Sequence, residues 1–182
     1  MKITDVKVHD LHCKLKEEDH LGISKGWITE RSALIIQIDT DEGITGFGEG
    51  GNPNYIEKIK SRILGMDPFD MNKIWNNEFV GSLRNHQSES FGVEMALWDI
   101  MGKKMKMPLY KLLGGKLRDK IKVYASSLYY KRTESLPEVM AKEAVKILDQ
   151  GFDSIKIKIG YTPERDIKCV KAVRRAVGSD VE

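Results

Sequence analysis

The stretch of this sequence best suited to chemistry is SIKIKIG, residues 154–160. It sets Lys156 and Lys158 two residues apart, between Ile155, Ile157 and Ile159. On a β-strand side chains alternate between faces, so the three isoleucines share one face and the two lysines the other. Positions i and i+2 on a strand lie about 6.5–7 Å apart. At an effective dielectric of about 20, two like charges at that distance repel by about 2.5 kcal/mol. Such repulsion makes one ammonium easier to deprotonate, and a neutral lysine is a competent general base. The same spacing also suits an exposed amphipathic strand whose lysines are solvated and discourage edge pairing. Spacing alone leaves both accounts open.

The elements that must position these lysines belong to a modest chain. Its 182 residues make one ordinary domain or two small ones. A composition of 41% hydrophobic and 31% charged residues is that of a globular protein rather than a disordered one. Thirty basic and 27 acidic residues leave a net charge of +3, mixed along the chain. That excludes the basic patch of a nucleic-acid binder. Cys13 and Cys169 are far apart, which argues against a disulfide framework or a zinc site and fits a reducing compartment. The N-terminal MKITDVKVHDLH has no apolar signal core, and no run approaches the ~18 apolar residues of a membrane span. The expected location is the cytoplasm.

Residues 3–15, ITDVKVHDLHCKL, alternate like a strand, with a slip near Asp10 that suggests a bulge. Residues 16–31 are polar, with Gly22, Gly26 and a lone Trp27, and read as a mobile loop. Residues 32–49 read as a hairpin around Asp41-Glu42-Gly43, after which Gly46, Gly48, Gly50 and Gly51 loosen the chain. Helices are expected from Asn52-Pro53, with Tyr55, Ile59 and Ile63 inward, and from Asp67-Pro68, with Phe69 and Trp75 inward. A third is expected over residues 89–105, with Phe91, Met95, Trp98 and Met105 near one buried face. Residues 1–115 therefore read as an α+β unit.

After Gly115 the pattern changes. IKVYASS, residues 121–127, reads as a strand, and Ser135 has capping-box spacing to Glu138. Met140, Ala144, Ile147 and Leu148 then form a helical stripe. The lysine strand follows. Thr162-Pro163 starts another helix with Ile167, Val170, Val173 and Val177 on one side, and Asp180-Val181-Glu182 begins a third strand. This β-α-β-α-β order predicts parallel strands with crossover helices over residues 116–182. Two such units leave a sheet unfinished, because parallel sheets have both faces covered.

Four motifs together resemble the enolase superfamily, in its mandelate racemase/muconate lactonizing enzyme branch. TDEGITGFGE (40–49), LGMDP (64–68) and ALWDIMGKKMKMPLYKLLGG (96–115) resemble its N-terminal capping domain. KVYAS (122–126) and GFDSIKIKIG (151–160) resemble its first two barrel strands, and residues 164–178 the helix that follows. The resemblance implies an α+β capping domain over 1–115, followed by an incomplete (β/α) TIM-type barrel over 116–182. Catalytic groups sit at the C-terminal ends of strands in such barrels. It implies Mg²⁺-dependent removal of the proton α to a carboxylate, with a lysine or histidine as base. Lys158 is then the base, and Lys156 the neighbour that eases its deprotonation and holds substrate.

The resemblance further places His20, Trp27 and Tyr55 in segments that cover the site and select substrate. For each, plain packing or solvation is the alternative; the same holds for Tyr129 and Tyr130 after the first barrel strand. GFGEGG lacks the lysine of a phosphate loop. The family's acidic Mg²⁺ ligands come from the third to fifth strands, whereas this sequence ends at Glu182, near the start of the third. No metal ligand is therefore assigned within it, and the chain alone is expected to be inactive. The expected partners are a small carboxylate, with an acid sugar favoured through a dehydratase or racemase reaction, and further copies of itself. A second reading is a non-catalytic remnant or assembly module that self-associates through its open barrel edge.

Overall fold

The computed structural model describes residues 1–75 and 91–182. Its strands are β1 Ile3–Lys14, β2 Leu21–Ile23, β3 Gly26–Ile28, β4 Glu30–Thr40, β5 Thr45–Glu49, β6 Ala125–Ser126 and β7 Ile155–Lys156. Its α-helices are α1 Pro53–Ile63, α2 Met71–Ile74, α3 Phe91–Met105, α4 Leu109–Leu112, α5 Leu136–Asp149 and α6 Pro163–Val177. The chain divides into two compact units. One comprises Met1–His12 with Ser32–Leu117; the other comprises Cys13–Arg31 with Arg118–Glu182. Residues 13–31, expected in the first unit, thus group with the second.

In the first unit the sheet runs in the order β1-β4-β5. The predicted hairpin is present: β4 and β5 pair antiparallel from Ile35↔Glu49 to Asp39↔Thr45. Gly43 takes the positive φ of 74° that its turn needs. Ile36 and Ile38 are fully buried, while Gln37 and Asp39 between them make polar contacts. Asp39 accepts from Lys7 at 2.6 Å and from Thr45 at 2.8 Å. The Lys7 hydrogen bond, helped by Gln37 and Thr45, holds its carboxyl at a pKa of about 2. In β1 the buried positions are Ile3 and Val6. They are three apart, so the alternation slips between them and not at Asp10.

Helix α3 packs on β5 through an unexpected face. Val93, Ala96, Leu97 and Ile100 are buried, whereas Phe91, Met95 and Met105 are about half exposed. Backbone proximity is the reason. A Cβ added at Gly46 would lie 2.1 Å from the Ala96 carbonyl oxygen, and one at Gly48 would lie 2.0 Å from that of Gly92. One at Gly92 would lie 2.1 Å from the oxygen of Gly50. These glycines therefore do not loosen the chain: they let strand and helix touch backbone to backbone, and the bulky residues turn away. Asn52 caps α1 by accepting from the Asn54 N–H, and Ile56, Ile59 and Ile63 are its buried stripe. Phe69, expected inward, is exposed. Residues 89 and 90, the expected start of α3, lie outside the described residues.

In the second unit β6 and β7 pair in parallel, Ala125↔Ile155 and Ser126↔Lys156, with α5 as the crossover. The ladder continues to the chain's last residue: Ile155 N–H donates to the Glu182 carbonyl, and Glu182 N–H to that of Asp153. β6 is shorter than the predicted 121–127. Ile121, Val123 and Tyr124 are exposed, because the turn at Gly151 precedes β7 and gives them no partner there. Ser135 makes no side-chain cap, so the predicted capping box is absent. Leu136, Met140, Ala144 and Ile147 of α5 form the core with Leu128, Tyr130 and Cys169. On α6, Cys169, Val173 and Val177 face that core, while Ile167 and Val170 are exposed. Among the described residues no helix is long and apolar enough to cross a membrane.

The α3–β5 approach predicts a large effect from a small change. Gly48→Ala must push a new methyl into a backbone carbonyl, which has no rotamer to change. Overpacking of this kind typically costs about 1–3 kcal/mol, and occasionally more. We expect the upper end of that range, read as a lower urea midpoint at unchanged slope. An unchanged midpoint would contradict the close approach.

Candidate active site

The lysine segment is a strand for only as long as it has a partner. Ile155 and Ile157 pack against the second core, as alternation predicts. Ile159 does not: it is 57% exposed. Backbone pairing runs on as far as Lys158, whose N–H donates to the Leu128 carbonyl at 3.3 Å. Gly160 then turns the chain with φ of 103°.

Each lysine has its own aromatic ring. The Lys156 ammonium lies 5.2 Å from the centroid of Tyr124, and that of Lys158 lies 5.1 Å from the centroid of Tyr129. A ring face attracts a cation by about 0.5–1 kcal/mol when exposed and by ~2 when desolvated. Lys156 and Tyr124 are exposed, whereas Lys158 and Tyr129 are both half-buried. The two like charges are thus not equivalent. Lys158 has the drier surroundings and the better-held partner.

Below these rings lies a hydrogen-bonded frame. Tyr130 is 2% exposed, and its hydroxyl donates to Asp166 Oδ1 at 2.6 Å. Asp166 Oδ2 accepts from Gly160 N–H at 2.7 Å. The Tyr130 hydrogen bond, aided by the Gly160 and Tyr161 amides, holds the Asp166 carboxyl below its ordinary range. Burial, then the hydrogen bond to Asp166, pushes the Tyr130 hydroxyl up. Asp166 is placed by the start of α6, where Thr162 caps the helix by accepting from Arg165 N–H. With Asp166 turned inward, Cys169, Val173 and Val177 follow on the same face. That geometry explains why Ile167 does not; Val170, one turn from Asp166, lines an open apolar pocket with Ile157, Val173 and Val177.

Residues 16–31 are built, not loose. β2 and β3 form a hairpin with Leu21↔Ile28, Gly22↔Trp27 and Ile23↔Gly26. Gly22 docks it on Tyr130 through two backbone hydrogen bonds of 2.9 and 3.1 Å. The turn comes close to the lysine segment, since a Cβ on Gly160 would lie 3.0 Å from Ser24 Cβ. Trp27 packs against the second core, with the Arg132 guanidinium 4.8 Å from its ring. Arg132 also pairs with Glu17 at 3.1 Å. His20 is half-buried, and its Nδ1 is buried without a hydrogen-bond partner.

Of the expected site residues, Lys156, Lys158, His20 and Trp27 fall in one unit. Tyr55 falls in the other, where it packs against the first core. Sequence reasoning missed Asp166 and Glu143 and left Tyr129 undecided. The one available signal was Thr162-Pro163, which puts Asp166 in the first helical turn, on the side of the inward stripe.

Magnesium needs several oxygen ligands at once. Among the described residues no three His, Cys, Asp or Glu side chains come together to hold a metal ion.

The second unit is thus a parallel βαβα arrangement with two lysines at a strand end, and the first is an α+β unit. Comparison with known proteins supplies the family. Residues 5–114 match the model of the mandelate racemase / muconate lactonizing enzyme N-terminal domain, and residues 139–182 match the enolase C-terminal domain-like model. The chain belongs to the mandelate racemase/muconate lactonizing enzyme family. A hydrophobic dipeptide epimerase of Enterococcus faecalis is 35% identical over 100% of this chain and 52% of the relative. An arabinonate dehydratase of Saccharolobus solfataricus is 38% identical over 91% of this chain and 48% of the relative. The crystal structure of the E. faecalis dipeptide epimerase complexed with Mg and L-Leu-L-Tyr superposes with a TM-score of 0.82, covering 100% of this chain and 52% of that one. The chain spans about half the length of the relatives it matches.

Two measurements check the frame. Gly22→Ala sets a Cβ 2.6 Å from that of Tyr130, so the hairpin should lift. The expected result is faster amide exchange at Gly22 and Tyr130 and new proteolytic cuts within residues 21–28. The second is a pH series. A lowered carboxyl contributes stability that is present above its unfolded value, about 3.9, and lost as pH falls through the folded one. A raised tyrosine contributes stability that is present below about pH 10 and lost as pH rises beyond it. The stability gap between wild type and Asp166→Asn should therefore be constant near neutrality and close in acid. The gap to Tyr130→Phe should close in alkali.

Proposed function

We propose that this chain carries the base-bearing part of an enzyme that removes the proton α to a carboxylate. The observation that carries the reading is the inequality of the two lysines: Lys158 is half-buried, ring-backed and held by its backbone to Leu128, with Lys156 exposed beside it. Lys158 takes the proton, and Lys156, exposed beside it on the same segment, attracts the substrate carboxylate. Residues 116–182 are read as the opening βα units of a (β/α) barrel, with residues 1–115 as its cap. The reaction is read as Mg²⁺-dependent on the strength of the family and of the Mg-complexed relative. On the family reading the Mg²⁺ ligands belong to later barrel strands, and the 182-residue chain alone is proposed to be inactive. Neither Cys13 nor Cys169 is in a disulfide, which suits the reducing cytoplasm.

An acid sugar is the favoured substrate, undergoing dehydration or racemisation; the arabinonate dehydratase supports it at 38% identity. A dipeptide is the second reading, favoured by the epimerase that matches along the whole chain. The test is α-proton exchange in deuterated water with Mg²⁺, on panels of acid sugars and of dipeptides. It is run on the 182-residue chain alone and on this chain joined to the remaining half of the E. faecalis epimerase. We expect no exchange from the chain alone and exchange from the joined protein. Lys158→Ala should lower that exchange by at least ~10²-fold. Exchange that survives Lys158→Ala puts the base elsewhere. Exchange by the chain alone puts a metal site within it.

A further inference from the structure

We propose that Tyr129 is the positioning residue for Lys158: a left-handed residue at Leu128 turns the ring out of the core and under the ammonium, and this placement sets the lysine's position. The inference rests on the reading of Lys158 as base.

The argument starts from parity. Along an unbroken strand Ala125, Ser127 and Tyr129 would share a face. Ala125 packs against the second core, so Tyr129 would point inward too. It does not. Leu128 and Tyr130 are the buried ones, at 0% and 2% exposure, and Tyr129 lies between them against Lys158. The switch occurs at Leu128, whose φ is +54°. Left-handed backbone is unfavourable for a leucine and persists only where its surroundings over-determine it. Here they do. The Glu143 carboxylate on α5 accepts from the Ser127 hydroxyl and from Leu128 N–H. The Leu128 carbonyl accepts from Lys158 N–H. On the far side Tyr130 is pinned by Gly22 through its backbone and by Asp166 through its hydroxyl. Tyr129 is thus fixed from both flanking residues, and its ring is the one part left to meet the lysine. The Tyr124–Lys156 contact has no such frame: Tyr124 is 55% exposed and precedes β6.

The contact is read directly by NMR. Lysines of the 182-residue chain are reductively methylated with ¹³C-formaldehyde, and the Lys158 signal is identified by its loss in Lys158→Arg. Over a ring face the N-methyl protons shift upfield. We expect that shift in wild type, its retention in Tyr129→Phe and its loss in Tyr129→Leu. Glu143→Gln should weaken it while leaving the Lys156 signal unmoved. A Lys158 signal at the position of a solvated lysine, or one unchanged in Tyr129→Leu, overturns the proposal. In the joined, exchange-competent protein, Tyr129→Leu should lower kcat by about 10²-fold with little change in KM, and Tyr129→Phe should restore it. Equal kcat in Tyr129→Leu and wild type also overturns it. Failure of the base reading looks different: exchange then survives Lys158→Ala while the ring shift stands.

Discussion

One carboxylate organises the second unit. Asp166 takes the Tyr130 hydroxyl on one oxygen and the Gly160 amide on the other. It thereby ties the end of the first parallel strand, the end of the second and the first turn of α6 to a single point. Charge-assisted hydrogen bonds of this kind are roughly twice as strong as neutral ones. The hairpin of residues 21–28 then docks on the same tyrosine through Gly22. With Tyr130 anchored, Leu128 and Tyr129 must resolve the chain's path within two residues, and the left-handed Leu128 is the outcome. The surroundings of Lys158 thus descend from an aspartate that never touches it.

The first unit depends on a constraint of another kind. Charged contacts are present there, as between Lys7 and Asp39 and from Lys103 to the Thr45 carbonyl, but it is the absence of side chains that permits the close approach. Gly46, Gly48 and Gly92 let β5 and α3 meet at backbone distance, and the helix is rotated so that Ala96 and Gly92 face the sheet. Met95, Met105 and Phe91 are turned outward as a result. A pattern search weights bulky apolar residues and so picks the opposite face. Small residues carry little hydrophobic signal, yet here they decide the packing.

These two constraints also divide what was legible from what was not. Local signals were readable: the Gly43 turn, the Asn52 and Thr162 caps, the alternation through Ile157, and the parallel order of β6 and β7. Contacts made by distant partners were not. The hairpin of residues 21–28 looked polar and loose because its partner, Tyr130, lies far along the chain. Ile159 continued the alternation in sequence but had no strand to continue it against, since Gly160 turns away toward Asp166. Ser135 had the spacing of a cap without the geometry, with ψ of 34° where an extended residue is needed. Of the candidate site, the lysines were legible from spacing, whereas the rings that separate them were not, because the parity of Tyr129 turns on one backbone angle.

That angle bears on the question of why a strand would carry two lysines side by side. Solvated lysines that merely discourage edge pairing need no distinction between them, and no strained backbone to support either one. Here the pair is unequal. Lys156 is exposed with an exposed ring, whereas Lys158 is half-buried with a ring held from both flanking residues. Backbone strain of this sort is tolerated where surrounding contacts enforce it, and such sites cluster at function. On the proposed reading, the asymmetry of their surroundings divides the roles, the half-buried lysine to proton transfer and the exposed one to the incoming carboxylate.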